Sequence, residues 1–151
     1  MTLDYADVQG TILQGYRVDR ARHLVLRVID GAGARAFLGS LVDPASGMPQ
    51  ITTAARWSVE PSSFLNVGIA ATGLTALGQP IEGFPASFQR GATDPVTAQL
   101  VGDSAPSRWL QGFFDGASVH LISASGSSAT ATRWSTYRRS CAAPLLSLIH
   151  I

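Results

Sequence analysis

Apolar and polar residues alternate most regularly along His23-Leu24-Val25-Leu26-Arg27-Val28-Ile29. Leu24, Leu26 and Val28 fall on one side of this run, and His23, Val25, Arg27 and Ile29 on the other, which predicts a strand with its first side in the core. The second side is only partly apolar, so a further layer or an interface is expected to meet it. Residues 32–42 then carry a helical pattern with Ala36, Phe37 and Leu41 facing inward. Asp43-Pro44 closes it, because a residue before proline is pushed out of the α region. A second strand is predicted over 64–69, with Leu65, Val67 and Ile69 as its apolar set. A short helix follows over 72–77, ended by Gly78 and the nearby Pro80. A third strand is predicted over 119–123, and a helix over 129–139 weakened by Thr130, Thr132 and Thr136. Between these elements, 44–62 and 79–108 read as long connections, the latter with a helical turn around Phe84 to Phe88. Connections of that length are usually functional or belong to a larger assembly. The order strand, helix, strand, strand, helix is that of a ferredoxin-like α+β (split βαβ) domain with an insertion between its second and third strands; no fourth strand is evident.

Ahead of the first strand, Asp7-Val8-Gln9-Gly10-Thr11-Ile12-Leu13-Gln14-Gly15-Tyr16 places Val8, Ile12, Leu13 and Tyr16 at helical spacing. Asp7 is the expected N-cap of this piece and Gly15 its stop, giving an arm that packs on the domain. With 151 residues and 46% hydrophobic residues, the chain is large enough for one domain with its own core. All 11 Lys-or-Arg positions are arginine. A net charge of +1 argues against an electrostatic nucleic-acid binder. Arg17, Arg20, Arg22 and Arg27 cluster locally, but Asp19 and Asp30 interrupt them, and a solvated face is expected rather than a phosphate site.

Candidate chemistry is sparse. One cysteine, Cys141, excludes an internal disulfide framework and a cysteine-rich zinc site. His23 and His120 lie inside predicted strands, and His150 near the terminus; no pair has metal-ligand spacing, and no metal site is expected. Ser-rich segments lack a Gly-x-Ser-x-Gly elbow. Gly31-Ala32-Gly33-Ala34-Arg35 is too short for a dinucleotide fingerprint. The start Met1-Thr2-Leu3-Asp4-Tyr5 has no secretory pattern, and no apolar run approaches the roughly 20 residues needed to span a bilayer, so a cytoplasmic protein without membrane partners is expected.

Four segments, taken in order, resemble the DyP-type (dye-decolorising) haem peroxidases. They are Asp7-Val8-Gln9-Gly10 through Gly15-Tyr16; Leu65-Asn66-Val67-Gly68-Ile69 with Gly73-Leu74-Thr75-Ala76-Leu77-Gly78; Gly102-Asp103-Ser104-Ala105-Pro106-Ser107-Arg108-Trp109; and the strand Val119 to Ser123. The resemblance covers about residues 5–125 and is to the N-terminal portion. It implies a ferredoxin-like half of a dimeric α/β-barrel architecture, incomplete at its C-terminus. It also implies haem b in the complete enzyme, with hydrogen peroxide and small aromatic reductants, dyes or phenolic compounds, as partners. The family's proximal histidine and distal arginine belong to a later half. Its distal aspartate, in a Gly-x-x-Asp-Gly motif, moves a proton during peroxide cleavage while the arginine stabilises the departing oxygen.

Gly112-Phe113-Phe114-Asp115-Gly116 matches that motif by letter but stands before the third strand, whereas the family's motif lies beyond the fourth. Asp115 is therefore read as a turn residue. Catalytic and cofactor-binding residues stay unassigned, and the expected division is an arm (1–20), a ferredoxin-like half (21–139) and a non-native or truncated tail (140–151). The closing run Leu145 to Ile151 resembles translated adapter sequence, with a native apolar strand or helix end as the alternative. The fragment alone is expected to be inactive and not to bind haem stably. The alternative is a stand-alone ferredoxin-like binding or dimerisation module, and homo-oligomerisation is left open.

Overall fold

A computed structural model describes residues 2–18, 20–57, 59–109, 121–127 and 146–148. Its organising element is β1 (Arg20–Val28), which begins three residues before the predicted strand. β1 pairs antiparallel with β3 (Leu121–Ser127) on one side and with β4 (Leu146–Leu148) on the other. β2 (Ser63–Ile69) pairs antiparallel with β3. The resulting four-stranded sheet has the order β2-β3-β1-β4, the ferredoxin-like order expected from the sequence. The fourth strand that the sequence did not reveal is thus supplied by the closing apolar run, three residues of which pair with Leu26, Arg27 and Val28. A strand this short carries no readable period of its own; its pairing to β1 defines it. The predicted helix 129–139, Val119 and the side chains of Asp115, His120, Cys141 and His150 lie outside the described residues.

Alternation on β1 works as predicted on the core side. Leu26 and Val28 are buried and Leu24 packs beside them, against Ala34, Phe37, Leu38, Ala76 and Leu77. Val67 and Ile69 of β2 join the same layer. A second cluster continues it through Leu41 and Leu65, reached by Met48 and Ile51 from the long connection. On the opposite side of β1, His23, Arg27 and Ile29 are exposed while Val25 is buried.

The helix over this layer, α2, spans Gly31–Ser40, and the Asp30 side chain caps it by accepting from Ala32 N at 3.0 Å. Its inward set is Ala34, Phe37, Leu38 and Leu41. Ala36, expected inside, is exposed: the inward stripe keeps Phe37 and Leu41 but runs through Ala34 and Leu38. Before it, a short helix α1 (Gly10–Leu13) starts at Gln9, not at Asp7; Asp4 instead caps a 3-10 turn at Tyr5–Asp7.

After β2, α3 (Ala71–Ala76) closes as Gly78 suggested. Gly78 takes φ 70°, Gly78 N donates to Thr75 O at 2.9 Å and Gln79 N to Leu74 O at 2.9 Å, the paired bonds of a Schellman stop. The Arg35 guanidinium donates to the Leu77 carbonyl, tying α2 to the end of α3. Gly31 sits at their closest approach: a Cβ there would come within 2.5 Å of the Ala76 carbonyl oxygen.

The stretch 79–108, expected as loop with one helical turn around Phe84 to Phe88, holds α4 (Ala86–Arg90) near that turn and, unexpectedly, α5 (Pro95–Val101). Asp94 caps α5, accepting from Thr97 N at 2.9 Å and from Arg90 Nε at 3.1 Å. The Thr97 backbone bond first, then its hydroxyl and Arg90, hold the Asp94 carboxyl below its usual range. A lowered folded-state value means that this cap is intact at neutral pH and is lost as acidification passes through it. On the far side of the sheet, Phe64 lies over Gly126, where an added Cβ would overlap the Phe64 ring and a Val18 methyl.

Candidate functional site

The side chains with the most unusual bonding gather where the N-terminal arm crosses β2. Gln9 makes two bonds to one residue: its Nε2 donates to Val67 O and its Oε1 accepts from Val67 N, each at 2.8 Å. Gly10 N donates to Thr52 O at 2.8 Å, Ala54 N to Val8 O at 2.7 Å, and Gln14 Nε2 to Ala54 O at 2.9 Å. The Thr11 hydroxyl donates to Asn66 Oδ1 at 3.1 Å. Polar side chains thus fasten the arm. Ile12 and Leu13, whose spacing predicted burial, are 67% and 50% exposed.

Asn66 is 5% exposed, and among the described residues its Nδ2 finds no hydrogen-bond partner. A buried donor left unpaired costs about 1–3 kcal/mol, so its retention marks the junction of arm and strand as constrained. Beside it, Tyr16 stacks on Phe64 at 4.7 Å and on Trp57 at 5.6 Å between ring centroids. The Tyr16 hydroxyl lies over Gly10, where only a hydrogen on Cα leaves room for it. Among the described residues that hydroxyl is buried without a hydrogen bond of full geometry, although the Thr52 side chain is close enough to act on it. Burial raises the phenol's pKa above its usual value, and Thr52 partly offsets the rise.

A raised folded-state value has a definite sign. The neutral phenol's contribution is present below the unfolded pKa of about 10 and is lost as pH climbs through the higher folded one. Thermal unfolding followed between pH 8 and 11 should show the parent losing more stability than Tyr16→Phe. Equal losses in the two proteins would contradict this account of the buried hydroxyl.

The residues weighed from sequence are not brought together. His23 is exposed on β1, in register with Ala124 and, one strand further, Asn66. Arg17, Arg20, Arg22 and Arg27 are all exposed, and alternation sends Arg27 to the sheet face opposite Arg20 and Arg22, so they form no common anion site. Among the described residues no three His, Cys, Asp or Glu side chains come together, and no helix is long and apolar enough to cross a membrane. The 103–109 loop folds on itself: Trp109 Nε1 donates to Ser104 O at 3.1 Å. Gln9, Thr11 and Gln14 received no role from sequence. Their signal is polar residues interleaved with glycines in an arm too short to bury an apolar stripe.

No family model matches the chain. Among curated proteins it is 29% identical over 122 residues to Peroxidase 2 of Mycetinis scorodonius, and 29% identical over 121 residues to the dye-decolorizing peroxidase msp1 of the same organism. Each alignment takes in 80% of this chain, which spans 23% of those relatives' length. Among solved structures, a fungal DyP-type peroxidase from Auricularia auricula-judae superposes with a TM-score of 0.79 at 22% identity, over 99% of this chain and 33% of that one. A dye-decolorizing peroxidase in complex with 2,6-dimethoxyphenol superposes with a TM-score of 0.75 at 26% identity, over 99% of this chain and 33% of that one.

Proposed function

We propose, on the premise that this chain is an N-terminal DyP-type peroxidase portion, that it serves as scaffold in a haem enzyme that oxidises dyes or phenolic compounds with hydrogen peroxide. The observation that carries the reading is the agreement of a 29% identical alignment with a fold match over 99% of the chain. The haem, taken as haem b, is held by residues in the part of the family's length that this chain does not match. Residues of this chain supply the four-stranded sheet, the arm stitched to β2 and the helices that cover the core. A cytoplasmic location belongs to the same proposal. So does the division into arm (1–20), half-domain (21–139) and tail (140–151), with the pairing of Leu146–Leu148 to β1 speaking for counting those three residues into the half.

Haem titration followed by absorption tests the reading. The chain alone should give no stable Soret band and no peroxide-dependent dye oxidation. Exchanged for the matching segment of the Mycetinis scorodonius enzyme, it should give a chimera with both. A stable Soret band with turnover from these residues alone would refute the scaffold role. A folded chimera without haem would remove the family premise. The stand-alone module has the completed four-strand order in its favour. A monodisperse dimer indifferent to haem would select it.

A further inference from the structure

The helical pair in the 79–108 stretch turns its apolar side outward. α5 is Pro95-Val96-Thr97-Ala98-Gln99-Leu100-Val101, without a charged residue. Thr97 and Ala98 are half-buried, whereas Val96, Leu100 and Val101 are each more than half exposed. Val96 and Leu100 stand one turn apart and Val101 adjoins Leu100, so the three share a side. A surface helix ordinarily has the reverse arrangement, with its larger apolar residues beneath it. Local polar bonds, not core burial, hold α5 in this shape. The Asp94 carboxylate takes Thr97 N, the Thr97 hydroxyl and Arg90 Nε, the last tying α5 to α4. Gly102, at φ 69°, closes the helix, and Asp103 N donates to Ala98 O at 3.0 Å. α4 is fixed in turn by Gln89 Nε2, which donates to Phe84 O at 2.7 Å, and by the Phe84–Phe88 ring pair at 4.9 Å. The apolar side is thus set before anything meets it, and ordering it on contact costs little.

We propose that Val96, Leu100 and Val101 form a seam against the part of a full-length DyP-type peroxidase that this chain does not match, an inference that rests on the proposed function. The fold match to the Auricularia auricula-judae enzyme takes in 99% of this chain, α4 and α5 included, but only 33% of that one, which leaves most of that polypeptide to lie against the matched part. The size of the patch selects this occupant. An independent partner or a second copy needs about 800 Å² on each side, from roughly 20–30 residues. Three side chains on a seven-residue helix fall far short of that. A segment of the same polypeptide is held at high effective concentration by its covalent connection, so a small apolar contact is enough to seat it.

The test compares the 151-residue chain with the chimera in which it replaces the matching segment of the Mycetinis scorodonius enzyme. Val96→Asp with Leu100→Asp should leave the thermal midpoint of the chain alone within about 1 °C, because exposed positions tolerate exchange. In the chimera the same pair should lower the midpoint by at least about 3 °C. Leu100→Cys, read by peptide mass after thiol labelling, should react roughly tenfold or more slowly in the chimera than in the chain. A haem-loaded chimera with equal labelling and an unmoved midpoint overturns the proposal and leaves the peroxidase reading standing. A chimera that folds without haem removes both. Destabilisation of the chain alone by the aspartate pair also overturns the proposal, since the side is then covered within these residues. So does a doubled mass of the parent chain by light scattering that the aspartate pair abolishes, which gives the side to a second copy. Should the chimera not fold, cysteine is placed in the Mycetinis scorodonius enzyme itself at the position superposed on Leu100: slow labelling supports the seam, and labelling as fast as in the chain overturns it.

Discussion

Leu41→Ala should lower the unfolding free energy by about 2–5 kcal/mol, the largest single effect expected in this chain. Leu41 is 0% exposed and joins three parts of the molecule. It ends α2, its carbonyl accepts from Ile51 N at 2.8 Å, and its side chain sits with Leu65 of β2 under Met48 and Ile51. Truncation removes the transfer energy of its methyl groups and leaves a cavity between a strand and a connection already anchored through the Leu41 backbone. Those surroundings cannot collapse without breaking the Ile51 bond, which favours the upper part of the range. Urea unfolding followed by circular dichroism measures the change. A loss below about 1 kcal/mol would mean that the 48–51 segment refills the space, and that the second core cluster is not a rigid unit.

Two glycines of the same helix should respond in opposite directions. Gly31→Ala puts a methyl group against the Ala76 carbonyl oxygen, a backbone atom fixed by the Schellman stop of α3 and by the Arg35 bond to Leu77. The helices must separate, at a cost of about 1–3 kcal/mol. Gly39→Ala meets nothing within 4 Å and should stabilise the chain by roughly 0.5–1 kcal/mol through backbone entropy. Paired thermal denaturation checks both. Equal shifts of the same sign would show that helix propensity alone governs α2 and that the contact with α3 is soft.

Elements with a strong local period were legible. β1, α2, β2 and α3 lie within a few residues of their predicted bounds, because alternation, the Asp43-Pro44 break and Gly78 are signals carried by adjacent residues. α5 carried such signals too: Asp94 as cap, Pro95 in the first turn and Gly102 at the end. What it lacked was an inward stripe, since Val96, Leu100 and Val101 are 54%, 77% and 70% exposed. Periodicity misled at Ile12 and Leu13 for a related reason: helical spacing implies burial only when something lies beneath it. The arm and the Asn66 strand stood out as informative stretches, yet their roles were hidden. The Gln9 amide reaches a residue 58 positions away, and no local pattern encodes that partner. β4 stood in the sequence only as the alternative reading of the closing run, because a strand this short is defined by what it pairs with.

The Phe64 ring over Gly126 has one more consequence. Successive strand residues face opposite ways, so sliding β2 along β3 by one position would turn Leu65 and Val67 out of the core and bring Ser125 or Ser127 opposite Phe64. A slide by two would keep the faces but bring Ala124 or Ser128 opposite Phe64, each carrying the Cβ that the ring excludes at Gly126. The alternation of apolar residues fixes which face of β2 is inside, and the missing side chain fixes how far along β3 it sits. Phe64 and Gly126 together act as a key and its slot, setting the alignment on which the arm, Gln9 and Asn66 all depend.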